Sequence, residues 1–231
     1  NNQDIEVSKG QYVILNNHSA ITTEAKKGTK GISLFLSPKL ISEISNFYQS
    51  DNGSIKFLEI IRKNPNQKVK NLLDKIVHLY ENDKVHLNHS INDLFIRISE
   101  LIIQNQVLLN KDFERLKIVK HNTRRALYQS LLQTKEYLND NFKENISLET
   151  ISKDIGISKF YLHRLFREIN GKTPIEYLTH LRIECAKNKL RFSTQSIFEI
   201  AVASGFDNSA YFSNVFKRHV GLSPTQFRNN L

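Results

Sequence analysis

Methionine and tryptophan are absent from these 231 residues, cysteine occurs once, proline four times and glycine eight times. A single cysteine, Cys185, cannot close an internal disulfide. That excludes the stapled scaffolds of small secreted domains and points to a reducing, cytoplasmic setting. So few glycines and prolines exclude collagen-like and low-complexity chains. No apolar run approaches the roughly 20 residues of a membrane helix, so no membrane partner is expected. No secretory signal opens the chain, and a sequence without methionine that starts Asn1-Asn2-Gln3 leads us to expect an upstream portion. What is there, 39% hydrophobic and 24% charged residues, suits a packed, helix-rich protein with room for two modest domains.

Acidic side chains are the scarcer sign, 23 against 33 lysines and arginines, which leaves a net charge of +10 and favours polyanionic partners. The excess is one-sided. Residues 1–110 carry 13 basic and 11 acidic groups, whereas residues 111–231 carry 20 and 12 and so hold +8. The densest run sets Lys111, Arg115, Lys117, Lys120, Arg124 and Arg125 against Asp112 and Glu114. Such a run is most often a solvated face, and it gains meaning only beside a motif.

The first 36 residues alternate apolar and polar groups in short bursts, Tyr12-Val13-Ile14-Leu15 and Ile32-Ser33-Leu34-Phe35-Leu36, separated by Gly28 and Gly31. These predict strands, too few to stand alone. Ser37-Pro38 then supplies an N-cap and a proline at the first helical position, opening a helix with Leu40, Ile41 and Ile44 on one face. Two longer stripes follow at helical spacing, Leu72, Leu73, Ile76, Val77 and Tyr80, then Ile91, Leu94, Phe95, Ile98, Leu101 and Ile102. Each is core or a dimer seam. A further helix, about 123–142, buries Leu127, Leu131, Leu138 and Phe142.

Beyond it the sequence repeats at a period of about 50 residues. Gly156 answers to Gly205, Tyr161-Leu162 to Tyr211-Phe212, and Leu165-Phe166-Arg167 to Val215-Phe216-Lys217. Gly171 answers to Gly221, Thr173-Pro174 to Ser223-Pro224, and Tyr177 to Phe227. Each unit reads as a short capped helix, a glycine turn, a second capped helix, a glycine stop and a Ser/Thr-Pro restart, which is helix-turn-helix punctuation. Ser147 and Ser158 cap the helices of the first unit, and Ser196 with Glu199 forms a capping box in the second. Thr173-Pro174-Ile175-Glu176 begins a linker helix that runs to about Arg191. Eighteen residues span roughly 27 Å, enough to hold two recognition helices about one turn of B-DNA apart.

The C-terminal hundred residues resemble the DNA-binding domain of AraC/XylS-type transcription regulators. Glu199-Ile200-Ala201, Gly205-Phe206, Tyr211-Phe212-Ser213, Val215-Phe216-Lys217-Arg218 and Gly221-Leu222-Ser223-Pro224 stand in the order of that family's second-unit signature. Arg182 and Ala186 in the linker helix match as well, as do Ser158, Tyr161, Leu162, Arg164, Leu165 and Phe166. Two positions depart from the pattern: Asn214 replaces the usual arginine and Lys189 the usual leucine. The resemblance implies a mainly α chain, two tandem helix-turn-helix subdomains joined by a long linker helix. Ahead of them it implies a helical dimerisation region and a short β fragment of a cupin-type barrel. The expected division is 1–36 residual strands of a sensing domain, 37–110 helical and dimerising, 111–123 a basic linker, and 124–231 DNA-binding, with units at about 147–170 and 196–220.

On the outward side of the first unit's second helix stand Lys159, Phe160, His163, Arg164 and Arg167. A guanidinium can bond both acceptors of a guanine edge, so Arg164 is the chief candidate for base readout, with His163 offering a ring nitrogen and Phe160 an apolar surface for a thymine methyl. The matching second-unit positions, Ser209, Ala210, Ser213 and Asn214, are small and uncharged and predict a weaker readout. Lys159, Arg167, Lys217 and Arg218 suit phosphates.

The other conspicuous groups read as structural. His78, His86 and His89 follow no zinc spacing, so no metal is expected, and Cys185 beside Ala186 reads as a small buried residue. No phosphate loop, nucleophile elbow or reactive-cysteine motif of the DNA-alkyl-transfer kind appears, so neither enzyme activity nor a cofactor is expected. Double-stranded DNA is the expected partner; the resemblance adds RNA polymerase, a homodimer and a small-molecule effector at the N-terminal domain, with activation as the outcome. Two rivals stay open, a sequence-indifferent architectural DNA binder and a helical protein-interaction module.

Overall fold

The computed structural model describes residues 7, 8, 10–16, 22, 24–29, 31–48, 57–60, 62, 63, 67–82, 87–118 and 120–230. The chain divides into two compact units, 1–117 and 118–231.

The first unit is built around three helices, α1 (Pro38–Tyr48), α2 (Gln67–Asn82) and α3 (Leu87–Arg115). Ser37 Oγ accepts the Leu40 amide, the expected cap, and Ile44 enters a core with Phe57, Ile103 and Val107 against which Leu40 and Ile41 pack. The strands differ from expectation. Among the described residues one sheet forms, a pair of two-residue strands, β1 (Gln11–Tyr12) against β2 (Arg62–Lys63), antiparallel with Gln11 opposite Lys63. Residues 31–37 have no regular structure, and Phe35 stands 86% exposed. An alternating pattern becomes a strand only when a partner satisfies its backbone and a layer covers its apolar face. The stretch after β1 is held by a side chain rather than a ladder: Asn16 Oδ1 accepts the Phe57 amide at 2.9 Å and Asn16 Nδ2 donates to the Phe57 carbonyl at 3.0 Å.

On α2 the predicted stripe stays largely open, with Leu72, Leu73 and Ile76 half-buried and Tyr80 70% exposed. On α3 burial extends past Ile98 and Ile103 to Val107 and Phe113. The helix therefore continues five residues into the basic run at 111–123. Its hydrophobic periodicity outlasts the change in charge, because Phe113 and the following Leu116 are buried while the cations point outward.

The second unit opens with α4 (His121–Asn141), which buries Tyr128, Leu131, Leu132 and Leu138. It begins two residues before the predicted helix and has no side-chain N-cap; Arg124 Nε instead donates back to the Ile118 carbonyl at 2.9 Å. Then come α5 (Leu148–Ile155), α6 (Lys159–Asn170), α7 (Pro174–Phe192), α8 (Ile197–Ala203), α9 (Ser209–Val220) and α10 (Pro224–Asn229). Capping boxes open α7 at Thr173 and Glu176, α8 at Ser196 and Glu199, and α10 at Ser223 and Gln226. Each satisfies two amides that a helix start leaves unpaired. The hydrogen bond from the Thr173 amide holds the Glu176 carboxyl below its ordinary value, and the Ser196 amide does the same to Glu199.

The two helix pairs have separate cores joined by α7. Ile151, Leu162, Leu165, Phe166 and Ile169 are buried in the first pair, where Tyr177 of α7 meets Phe166 edge-on at 5.7 Å. Ile183, Ala186 and Leu190 of α7 join Ile200, Ala201, Phe206, Phe212, Val215 and Phe216 in the second core. Phe206, Phe212, Phe216 and Phe227 form a run of ring contacts at 5.1, 5.6 and 5.6 Å. Such tilted and edge-on pairs add about 0.5–1.5 kcal/mol each beyond burial.

Candidate nucleic-acid interface

Helix α6 starts where Ser158 Oγ accepts the Tyr161 amide and stops at Gly171, whose φ of 69° a side chain would strain. Leu162, Leu165, Phe166 and Ile169 take its inner face. The 3.6-residue period then leaves Phe160, His163, Arg164 and Arg167 facing solvent together, with Phe160 78% exposed. The Arg164 guanidinium lies 5.1 Å over the Tyr161 ring one turn earlier, a contact that restricts the arginine before it meets any ligand. Lys159, expected at phosphate, has a partner within the fold. Its Nζ sits 2.5 Å from Glu149 Oε1 of α5 and 5.5 Å from the Phe160 ring, so its charge is already engaged. The same bond holds the Glu149 carboxyl below its ordinary value.

Helix α9 repeats the scaffold with other side chains. Asn208 Oδ1 accepts the Tyr211 amide at 2.9 Å, and Gly221 ends the helix at φ 85°. Ala210, Asn214, Lys217 and Arg218 are exposed, whereas Ser209 and Ser213 are half-buried. Ser213 Oγ donates to the Ser209 carbonyl at 2.9 Å, which occupies its one donor inside the helix. Tyr211, read from the sequence as a repeat and signature position and not as a surface residue, is 59% exposed and tilts against Phe206 at 6.3 Å. The signal was the repeat itself: Tyr161 carries Arg164 over its ring, and Asn214, in the equivalent place, has no cation to offer Tyr211.

Where α4 ends, α7 and the second helix-turn-helix pair meet. Arg182 Nε donates to the Phe142 carbonyl and Nη2 to the Glu144 carbonyl, each at 2.7 Å, while the guanidinium lies 5.8 Å over Phe206. Phe142 is the C-cap of α4, where carbonyls lack intrahelical partners and carry partial negative charge, and Glu144 lies two residues on in the following turn. Half-burial pulls the Arg182 pKa down from the ordinary arginine value, and the charge of Asp207 acts the other way. Gly205 faces the same spot. With φ at 86°, a Cβ there would stand 2.8 Å from Lys143 Cα and 2.9 Å from the Phe142 carbonyl oxygen.

Of the three histidines considered for metal, His86 and the His89 side chain lie outside the described residues. Among the described residues no three His, Cys, Asp or Glu converge, and no helix is long and apolar enough to cross a membrane. Cys185 is half-buried on α7.

Comparison with known proteins adds independent findings. A helix-turn-helix domain model matches residues 151–230. The chain is similar to the bifunctional transcriptional activator/DNA repair enzyme AdaA of Bacillus subtilis, 36% identical over 93 residues that make up 40% of this chain and 44% of that protein. It is also similar to the regulatory protein SoxS of Salmonella typhimurium, 31% identical over 105 residues, 45% of this chain and 98% of that protein. Among solved structures, the C-terminal domain of the response regulator AraT from Geobacillus stearothermophilus matches with 31% identity and a TM-score of 0.43, over 44% of this chain and 85% of that one. The matched stretch spans less than half the length of AdaA.

Proposed function

The chain belongs to the AraC/XylS-type family of transcription regulators, and on that premise we propose that its second unit holds duplex DNA in a sequence-specific way and activates transcription. The observation that carries this reading is the pair of helices α6 and α9, built alike within and exposed on one corresponding stripe, in the half of the chain with +8 net charge. Arg164 reads guanine, with His163 and Phe160 on neighbouring base edges. Ser209, Ala210, Ser213 and Asn214 form a weaker reading face. Arg167, Lys217 and Arg218 bind phosphates, and Lys159 does so when it leaves Glu149. Helix α7, 19 residues and roughly 28 Å long, suits two adjacent major-groove segments on one face of the duplex.

The first unit carries dimerisation, for which the open stripe of Leu72 to Tyr80 on α2 is the support. A small-molecule effector acting at the N-terminal domain and contact with RNA polymerase complete the reading, which includes a cytoplasmic location, no catalytic step and no cofactor. Binding-site selection with the full chain tests it. Two unlike half-sites about one helical turn apart are expected to be enriched, with the tighter sequence demand under α6. A selected pool no different from the starting pool, bound with an affinity set by salt alone, would overturn it in favour of the architectural reading.

A further inference from the structure

We propose that Arg182 is a positioning residue that fixes the separation and phase of the two recognition helices; the inference rests on the DNA-reading role of the second unit. Three observations converge on it. The Arg182 fork makes two charge-assisted hydrogen bonds, both 2.7 Å, to carbonyls of Phe142 and Glu144, and so ties the middle of α7 to the end of α4. The guanidinium also lies over the ring of Phe206, a member of the second core, so the same group touches the second helix-turn-helix pair. The turn at Gly205 approaches so closely that even a methyl group would meet Lys143 Cα at 2.8 Å and Arg182 Nε at 3.0 Å. Helix α4 also packs against α5 and α6, so its C-terminal end relates one helix-turn-helix pair to the other.

Loss of this fork leaves each pair with its own core and caps, still joined by α7, and removes the tie that holds α7 and the second pair to the end of α4. A planar, doubly bonded guanidinium fixes an angle as well as a distance, which a lysine ammonium does not.

Two measurements on the full chain test this. In a Cys185→Ser background, spin labels at Glu168→Cys on α6 and His219→Cys on α9, both exposed, report the distance between the helices without DNA. The parent is expected to give one narrow distribution. Arg182→Met is expected to broaden it by about twofold, as two charge-assisted hydrogen bonds no longer select one arrangement. Arg182→Lys is expected to recover the melting temperature but not the narrow width. The second measurement compares binding to duplexes with the selected half-sites moved apart or together by one base pair. The parent is expected to favour its own spacing about tenfold, the weight of one mismatched contact, and Arg182→Met to lose that preference while affinity for the single α6 half-site stays.

An unchanged distance distribution in both Arg182 variants overturns the positioning role, whatever happens on DNA. A uniform fall in affinity with the spacing preference intact overturns it too. If the parent makes no sequence demand at all, the DNA-reading role falls, and the distance measurement still decides what Arg182 does within the fold.

Discussion

The first helix-turn-helix pair offers Phe160, His163, Arg164 and Arg167 to solvent; the second offers Ala210, Asn214 and Lys217 in the corresponding places, with half-buried Ser213 where the first has His163. Inside, the two are near copies: Leu162 against Phe212, Leu165 against Val215, Phe166 against Phe216, and a left-handed glycine after each second helix. Packing constrains the interior because a buried side chain that changes volume leaves a cavity or a clash. No such constraint acts on the outer stripe, so the units share a scaffold and differ in what they present. The pairs also differ in surroundings. A side chain at the Gly156 turn would meet open space, whereas Gly205 is pressed against the end of α4.

The sharpest way to break the comparison is at those two glycines. Both have positive φ, so alanine costs about 1–2 kcal/mol of left-handed strain at either. At Gly205 the new methyl also meets backbone at 2.8 Å, adding about 1–3 kcal/mol of overpacking. Denaturant unfolding is expected to show Gly205→Ala clearly more damaging than Gly156→Ala. Equal losses would mean that the two turns are equivalent.

Next in size is readout. Arg164→Ala is expected to relax discrimination at one base position by about 1–3 kcal/mol, the weight of a bidentate contact, and Asn214→Ala to lose less. Competition binding against single-base variants measures both, and a larger loss at Asn214 would reverse the proposed ranking of the units. Lys217→Ala is expected to weaken all sequences alike and to lower the salt slope by about one, since one fewer counterion is released.

The smallest effect concerns the capping carboxylates. Because the Thr173 amide depresses Glu176 and the Ser196 amide depresses Glu199, both stabilise the fold above the unfolded carboxylate pKa. That contribution disappears as pH falls through their lowered folded values. Thermal melts of Glu199→Gln and the parent are expected to differ at pH 7 and to converge in acid. A gap that grows below pH about 4 would assign the effect to something other than the capping box.

The second unit was legible because its punctuation is local. A cap and its glycine stop lie within a dozen residues of one another, so Ser158, Thr173, Ser196 and Gly221 announce helix ends wherever they pack. The outward residues of α6 followed from the same periodicity. What escaped depends on contacts across sequence: Glu149 claims Lys159 from ten residues away and Arg182 reaches carbonyls some 40 residues back. The segment Ile32 to Leu36 failed for a related reason, since alternation states what a strand would bury and not whether a partner is present to pair with it.

Helix α7 gives its early turns, through Tyr177 on Phe166, to the first pair and its later turns, through Ile183, Ala186 and Leu190, to the second. Its length is therefore not free to drift in the way a loop's is. Deleting one residue between Leu178 and Ile183 would swing the second pair by about 100° about the helix axis and draw it in by about 1.5 Å. A lineage of such chains can exchange outer side chains one at a time, but in-frame insertions and deletions belong in the connections after Gly171 or Ser193, not in the rod between them.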